Sequence, residues 1–226
     1  MNLIHQNHRR YIENHNFLRL LGEAGICVPS EFLLNRDGIN AFWKKFYGAH
    51  VPRVVICGLN PGRFGASKTG IPFVDFQSLS QLVPGVHRLD SEKSSNFFFK
   101  VIHSFGVEAF FQNFYVTNIA SVGFVRDGKN LNYPELPVDA LAMVERNFQT
   151  EMEVVQPFQF ISLGAEVQQT ARKLLTNTVN CTLRLPHPSW VTTYRSCELH
   201  TWVEKYVEAL KVVADVFTAP CSRTLP

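Results

Sequence analysis

The sequence predicts a three-layer α/β/α sandwich, in which a central and mostly parallel sheet of four strands lies between two layers of helices. Four short apolar segments, each ended by a turn signal, are predicted strands, at residues 51–57, 114–118, 158–163 and 181–185. The intervals between them carry apolar residues at helical spacing. Because strands that alternate with helices are joined by crossover connections, the pattern favours a parallel sheet covered on both faces.

Two of these intervals show the helical pattern clearly. Their apolar stripes are formed by Leu141, Val144, Phe148, Met152 and Val155, and by Leu199, Trp202, Tyr206, Leu210, Val213 and Phe217. Residues 1–45 are also predicted to be helical and to pack on the same core, whereas residues 220–226 have little apolar content and are predicted to be loose. The sequence therefore predicts one domain over residues 1–226.

Composition limits the classes of protein that fit. The 226 residues are 46% apolar and 18% charged, which is enough to bury one sizeable core and unlike a disordered chain. The net charge of +3 permits an anionic partner but is too small for a protein that binds nucleic acid by charge alone. No secretory signal and no membrane-spanning apolar run is found, which predicts a cytoplasmic protein without membrane association.

The five cysteines are odd in number and widely spaced, with no C-x-x-C pair. They predict reduced thiols rather than a zinc site or an iron–sulfur cluster.

Polar residues follow three of the predicted strands. Asn60 follows the first, Asn118 ends the second and His187 follows the fourth. Since ligands of open α/β sheets bind at the carboxyl ends of the strands, these three side chains are expected near one site.

Asn60 lies in a loop, residues 58–73, with the sequence GLNPGRFGASKTGIPF, whose glycines and prolines exclude a continuous helix or strand. This loop resembles the first motif of the single-strand-selective monofunctional uracil-DNA glycosylases, a branch of the uracil-DNA glycosylase superfamily. The run His-Pro-Ser at 187–189 resembles the start of that family's second motif. The resemblance implies the uracil-DNA glycosylase fold and base excision from DNA.

The resemblance also implies roles for individual residues. Asn60 matches the residue that positions the attacking water, and His187 matches the residue that stabilises the leaving base through a ring N–H. Asn118 matches the residue that reads the base edge, because its amide offers the donor and the acceptor that uracil requires. Phe73 matches the aromatic ring on which the extruded base stacks. The base-recognition set is completed by Leu59 and Gly62.

After residue 189 the chain reads WVTTYRSCE where the family commonly has Pro-Arg-Asn. An apolar surface and a cation in this place predict contacts to DNA, and the predicted contact residues are Ser189, Trp190, Tyr194, Arg195 and, from the first motif, Lys68. The departure widens the predicted base range to uracil or a related deaminated base such as xanthine or hypoxanthine. Asp75 either caps the next segment or serves as an accessory base.

Other functions fit less well. Residues 62–69 read G-x-x-x-x-S-K-T, one residue away from a phosphate-binding loop, but Gly70 and Pro72 block the helix that this loop requires. A noncatalytic nucleic-acid-binding module would not need all four matched residues. No recognisable motif places a lysine as an imine-forming nucleophile, which disfavours a glycosylase with lyase activity.

The sequence thus predicts a monofunctional DNA glycosylase that uses neither metal nor cofactor. Its partner is expected to be single- or double-stranded DNA containing a deaminated base, with no obligate protein partner.

Overall fold

The computed structural model describes residues 13–49, 51–175 and 181–218. In chain order the helices and strands are α1 His15–Glu23, α2 Arg36–Tyr47, β1 Val54–Gly58, α3 Ala66–Thr69, α4 Phe76–Leu82, α5 Lys93–Phe105, α6 Val107–Asn113, β2 Phe114–Asn118, β3 Phe124–Arg126, β4 Lys129–Leu131, α7 Val138–Val155, β5 Phe160–Leu163, α8 Ala165–Leu174, β6 Cys181–Leu185, α9 Pro188–Tyr194 and α10 Leu199–Thr218. Three short 3₁₀ turns lie at Glu31–Asn35, Tyr133–Glu135 and Ser196–Glu198.

Four strands form the central sheet, in the order β2-β1-β5-β6, and all three pairings are parallel. Helices cover both faces, so the predicted three-layer α/β fold is confirmed. The register of the first pair places Gly58 opposite Asn118, so the carboxyl ends of β1 and β2 are level. This register determines which side chains meet beyond the sheet.

Two predicted strands begin later in the structure than in the prediction. β1 begins at Val54 rather than at residue 51, and β5 begins at Phe160 rather than at residue 158. The extra residues, Val51 and Phe158, are exposed, so their apolar character does not reflect burial in the sheet. All residues of β1, β2 and β5 are buried, as expected for strands covered on both faces.

The two predicted apolar stripes lie on α7 and α10. Val144, Phe148 and Met152 of α7 are buried, and so are Tyr206 and Leu210 of α10. Leu141 is only partly buried, and the side chain of Phe217 lies outside the described residues.

The N-terminal segment packs on the same core through α1 and α2, with Phe17 and Phe42 fully buried. Residues 1–12 and the predicted loose tail at 220–226 are not among the described residues. Within the described part of the chain, no helix combines the length and apolar character needed to cross a membrane.

The antiparallel hairpin β3–β4 was not predicted. Asp127 and Gly128 form its turn with φ values of +50° and +69°. An Asp-Gly pair with two positive φ angles is typical of a two-residue hairpin turn, so the sequence did carry the signal. The hairpin matters because its second strand leads directly to residues that hold Asn60.

Candidate active site

A cavity of about 400 Å³ opens at the carboxyl edge of the central sheet. The strand order changes direction between β1 and β5, so the cavity lies at the switch point where open α/β sheets bind ligands. Six residues predicted to act on the base line it, and they are Leu59, Asn60, Gly62, Phe73, Asn118 and His187. The fold therefore brings together side chains that lie up to 128 positions apart in the chain, from Leu59 to His187 (187 − 59).

The amide of Asn60 is held by backbone groups on both of its polar atoms. Nδ2 donates to the carbonyl oxygens of Pro61 and Leu131, at 3.3 Å each. Oδ1 accepts the backbone N–H of Tyr133 at 3.1 Å. A carbonyl oxygen has two lone pairs, so Oδ1 retains one for a water molecule. The hairpin β3–β4 and the turn after it thus fix the orientation of this amide.

His187 precedes α9 and caps its N-terminus. Nδ1 accepts the backbone N–H of Ser189 at 3.1 Å and lies 2.7 Å from Oγ of the same serine. Burial lowers the pKa of His187 from its ordinary value of 6.5 to about 4, an effect that the charge of Glu92 partly opposes. Because a backbone N–H can only donate, the neutral ring carries its proton on Nε2. The site therefore contains a neutral imidazole with Nε2–H as its donor.

Asn118 ends β2 with its side chain almost fully buried, at 3% exposure. Among the described residues its amide has no hydrogen-bond partner, although it lines the cavity. Buried amides are usually paired, so this side chain presents an unused donor and an unused acceptor to a ligand.

Gly58 allows Asn118 and Phe73 to approach the end of β1. A Cβ atom at residue 58 would lie 2.5 Å from Cζ of Phe73 and in collision with Oδ1 of Asn118. Neither neighbour can withdraw easily, since both are buried. A glycine is therefore required at this strand end by close contact rather than by its own backbone conformation.

Phe73 has a φ of +57°, which is uncommon for a residue other than glycine. Its ring packs against Phe98, at 4.9 Å between centroids, and beside the His187 ring, at 5.7 Å. A strained backbone that holds an aromatic ring in a cavity is typical of a functional site.

The remainder of the first-motif loop does not form a phosphate-binding structure. Its helix, α3 Ala66–Thr69, has four residues and ends at Gly70, which has a φ of +75°. Lys68, predicted to contact DNA, lies 3.2 Å from a carboxylate oxygen of Asp90 and 3.8 Å from one of Glu31. These carboxylates also pair with Arg88, and a DNA contact by Lys68 stays a prediction.

Asp75 caps the N-terminus of α4, which is the first of the two roles predicted for it. Its carboxylate accepts the N–H of Ser78 at 2.8 Å and the N–H of Glu92 at 2.7 Å. It is 1% exposed and does not line the cavity, so no position beside a catalytic water is open to it.

The predicted DNA-contacting residues of the second motif lie on and after α9. Trp190 is 39% exposed and Tyr194 is 69% exposed, and their rings are 6.1 Å apart. The guanidinium of Arg195 lies 5.7 Å from the Trp190 ring and forms an ion pair with Glu198 at 3.6 Å. Ser189 contacts the His187 ring and also lines the cavity. A solvent-facing aromatic and cationic surface thus lies directly after His187.

Several lining residues were not predicted as site residues. Two of them, Pro61 and Ala66, lie in the first-motif loop, and the others are Glu92, Ser94, Ser95, Asn130, Asn132 and residues 163–167. The last group follows β5, so the strand-end rule could have indicated it. Asn130 and Asn132 flank the end of the unpredicted hairpin. Glu92 and the serines begin α5, and nothing in their local pattern indicates a cavity.

The comparisons with known proteins agree with this geometry. The family model described as the uracil DNA glycosylase superfamily matches residues 45–211. Among solved structures, the chain is similar to wild-type SMUG2 of Pedobacter heparinus, with 26% identity and a TM-score of 0.73. That match covers 84% of this chain and 89% of the other. No curated protein matches the sequence significantly.

Proposed function

This chain belongs to the uracil DNA glycosylase superfamily and is a DNA glycosylase, a hydrolase of DNA repair, and we propose that it excises uracil or a related deaminated base. The observation that carries the proposal is the convergence of Asn60, Asn118, Phe73 and His187 on one cavity. Each is proposed to supply a different requirement of N-glycosidic bond hydrolysis.

The proposed reaction begins with departure of the base. When the C1′–N bond breaks, both electrons leave with the base, which becomes an anion. Nε2–H of His187 would then donate a hydrogen bond to the base oxygen on which the charge develops. A neutral donor suits this step, because it stabilises the anion without transferring a proton to it.

Water then attacks the sugar. Asn60 would hold this water through the free lone pair of Oδ1, which the hydrogen bond from Tyr133 leaves available. An amide is not basic enough to take the proton of the water. Asn60 therefore orients the water, and the order of events must be base departure first and water addition second.

Base selection is proposed to rest on Asn118 and Phe73. The unpaired amide of Asn118 complements a base that presents a carbonyl oxygen next to a ring N–H, as uracil and other deaminated bases do. Cytosine presents an amino group and an unprotonated nitrogen instead, so selection against cytosine requires the orientation in which Nδ2 of Asn118 faces the base carbonyl and Oδ1 faces the ring N–H. The Phe73 ring would stack on any base and thus add affinity without selectivity.

The enzyme is proposed to be monofunctional. A glycosylase with lyase activity needs an amine that attacks C1′, and the lining of the cavity within the described residues contains no lysine. Water is accordingly the proposed nucleophile, and the mechanism needs no cofactor.

DNA, either single- or double-stranded, is the proposed partner, and the cytoplasm is the proposed location. Trp190 and Tyr194 would fill the space vacated by the extruded base, while Arg195 would contact a phosphate. No further protein is needed for this cycle.

The proposal is tested with a panel of oligonucleotides that carry uracil, xanthine, hypoxanthine or thymine in single- and double-stranded form. We expect abasic sites at uracil or at another deaminated base, and thymine, which has the same Watson–Crick edge as uracil, tests whether the cavity admits a 5-methyl group. Asn60→Ala and His187→Ala should each slow excision at least about tenfold while DNA binding is largely retained. Asn40→Ala, at an exposed residue outside the cavity, is the matched control.

Abasic-site formation at none of the bases by the wild-type protein contradicts the proposal. Unchanged excision by both variants would leave the activity but remove Asn60 and His187 from the mechanism.

A further inference from the structure

Two carboxylates line the cavity, those of Glu92 and Glu166, and the steps above use neither. Glu166 is exposed on α8, whereas Glu92 is partly buried and its carboxylate is held by hydrogen bonds, so Glu92 is the one whose charge has a fixed position. Glu92 lines the wall, and the lining within the described residues includes no lysine or arginine that would balance its charge. A negative charge here repels both the phosphates of DNA and the departing base anion. We infer that Glu92 stabilises the positive charge that develops on the deoxyribose as the base departs, an inference that rests on the proposed function.

The Glu92 carboxylate is held in one place by three donors. Oε1 accepts the N–H of Ser94 at 3.3 Å, while Oε2 accepts the N–H of Ser95 at 3.1 Å and the hydroxyl of Ser95 at 2.9 Å. These bonds place the carboxylate at the N-terminus of α5, where the helix dipole favours negative charge. The charge is thus fixed before substrate binds, which is the condition for electrostatic catalysis.

Asp75 forms a hydrogen bond with the backbone of Glu92. Its buried carboxylate accepts the backbone N–H groups of Ser78 and Glu92, so it ties the start of α4 to the start of α5. Asp75 therefore holds the backbone from which the Glu92 side chain extends.

The first-motif loop lies directly against this carboxylate. A Cβ atom at Gly65 would lie 2.9 Å from Oε2 of Glu92 and 2.9 Å from Oγ of Ser95. Any other residue at position 65 would displace the Glu92 carboxylate. The first-motif loop, which supplies Asn60, therefore lies next to Glu92 in the wall of the cavity.

The charges of the reaction match this arrangement. As the C1′–N bond breaks, the electron pair goes to the base and leaves C1′ with a positive charge, which conjugation with the ring oxygen delocalises. Water then adds to C1′, and the proton it loses neutralises the base anion. His187 stabilises the base anion that bond cleavage produces, whereas Glu92 stabilises the sugar cation.

The test uses DNA duplexes with two abasic-site analogues at the target position. One is a pyrrolidine whose protonated nitrogen mimics the cationic sugar, and the other is a neutral tetrahydrofuran. Glu92→Gln removes the charge but keeps an oxygen that can accept the N–H of Ser95. Glu92→Asp keeps a capping carboxylate but withdraws it from the cavity, and aspartate is a good N-cap residue. Glu153→Gln, exposed on α7, controls for the loss of one negative charge elsewhere.

We expect Glu92→Gln to weaken pyrrolidine binding by about tenfold or more and to slow single-turnover excision to a similar extent, with tetrahydrofuran binding nearly unchanged. Glu92→Asp should give a smaller loss of the same kind, and Glu153→Gln none. Thermal unfolding of each variant checks that the fold is retained, and Glu92→Asp decides the matter if Glu92→Gln does not fold.

Equal losses for the two analogues would overturn the inference and leave Glu92 a helix cap only. Tighter pyrrolidine binding by Glu92→Gln would overturn it as well. A wild-type protein that forms abasic sites but does not discriminate between the analogues overturns the inference alone. A wild-type protein that neither forms abasic sites nor binds either analogue overturns the proposed function too.

Discussion

Nδ1 of His187 accepts the backbone N–H of Ser189 at 3.1 Å, and this single bond determines which ring nitrogen carries the proton. The acceptor role of Nδ1 leaves Nε2–H as the donor, and burial keeps the ring neutral by lowering its pKa to about 4. The backbone turn at the start of α9 thus sets the chemical form of a side chain that lines the cavity.

The first prediction concerns the pH dependence of excision. Since the His187 ring is neutral above about pH 4, single-turnover rates should show no titration of this residue between about pH 5 and 8. The rate should fall as the pH drops through about 4, because protonated Nδ1 can no longer accept the Ser189 N–H. A rate profile that titrates near pH 6.5 and loses this feature in His187→Ala would contradict the assignment.

The lowered pKa of His187 also predicts that the stability of the protein depends on pH. Between pH 6.5 and about 4 the unfolded chain binds a proton at His187 that the native protein does not bind. Native stability must therefore fall as the pH drops through this range. Compared with His187→Ala, the wild type should lose at most about 3 kcal/mol of unfolding free energy, as measured by urea denaturation at several pH values. Parallel curves for the two proteins would disagree with this prediction.

Asn118→Leu should separate stability from activity. The wild-type amide is buried without a partner among the described residues, so a leucine of similar size removes an unpaired polar group. We expect the free energy of unfolding to stay the same or to rise by about 1 kcal/mol. Excision of uracil should fall by about a hundredfold, because the base edge loses both hydrogen bonds. A variant that is markedly destabilised would show that the amide serves the fold.

Gly58→Ala, at the end of β1, should lower both the free energy of unfolding and the rate of excision. The added methyl group would collide with the Phe73 ring and with the Asn118 amide, which must move apart to admit it. We expect a loss of about 1–3 kcal/mol in unfolding free energy and at least about a tenfold loss of excision. Gly22→Ala is the control, because a Cβ atom there meets nothing within 4 Å and replaces a helical glycine. Equal activity in the two variants would count against the close contact.

Arg195→Ala should weaken DNA binding without a large change in chemistry. If this guanidinium contacts one phosphate, its removal reduces the slope of log affinity against log salt by about one. Lys211→Ala, at an exposed cation of α10, should leave the slope unchanged. The two slopes are measured by fluorescence anisotropy over a range of salt concentrations, and an unchanged slope for Arg195→Ala would remove this residue from the DNA surface.

Much of the fold followed from local patterns. The strands are short apolar runs because both of their faces are covered, and the long helices α7 and α10 carry apolar stripes because one side of each packs on the core. The starts of two strands were predicted too early, because Val51 and Phe158 are apolar but exposed. The β3–β4 hairpin was missed although its Asp-Gly turn was visible, because its strands are only three residues long.

The sequence by itself determined the fold class, the first-motif loop and part of the set of residues that meet at the carboxyl edge of the sheet, among them Asn60, Asn118 and His187. Those features depend on strand ends and on glycine and proline placement, which are local. Only the tertiary structure decided which charges face the cavity. In the structure, Lys68 forms an ion pair with Asp90, and the buried carboxylate of Asp75 accepts two backbone N–H groups. Glu92 lies in the wall of the cavity. A side chain's electrostatic environment depends on groups distant in the chain, and no pattern of neighbouring residues specifies it.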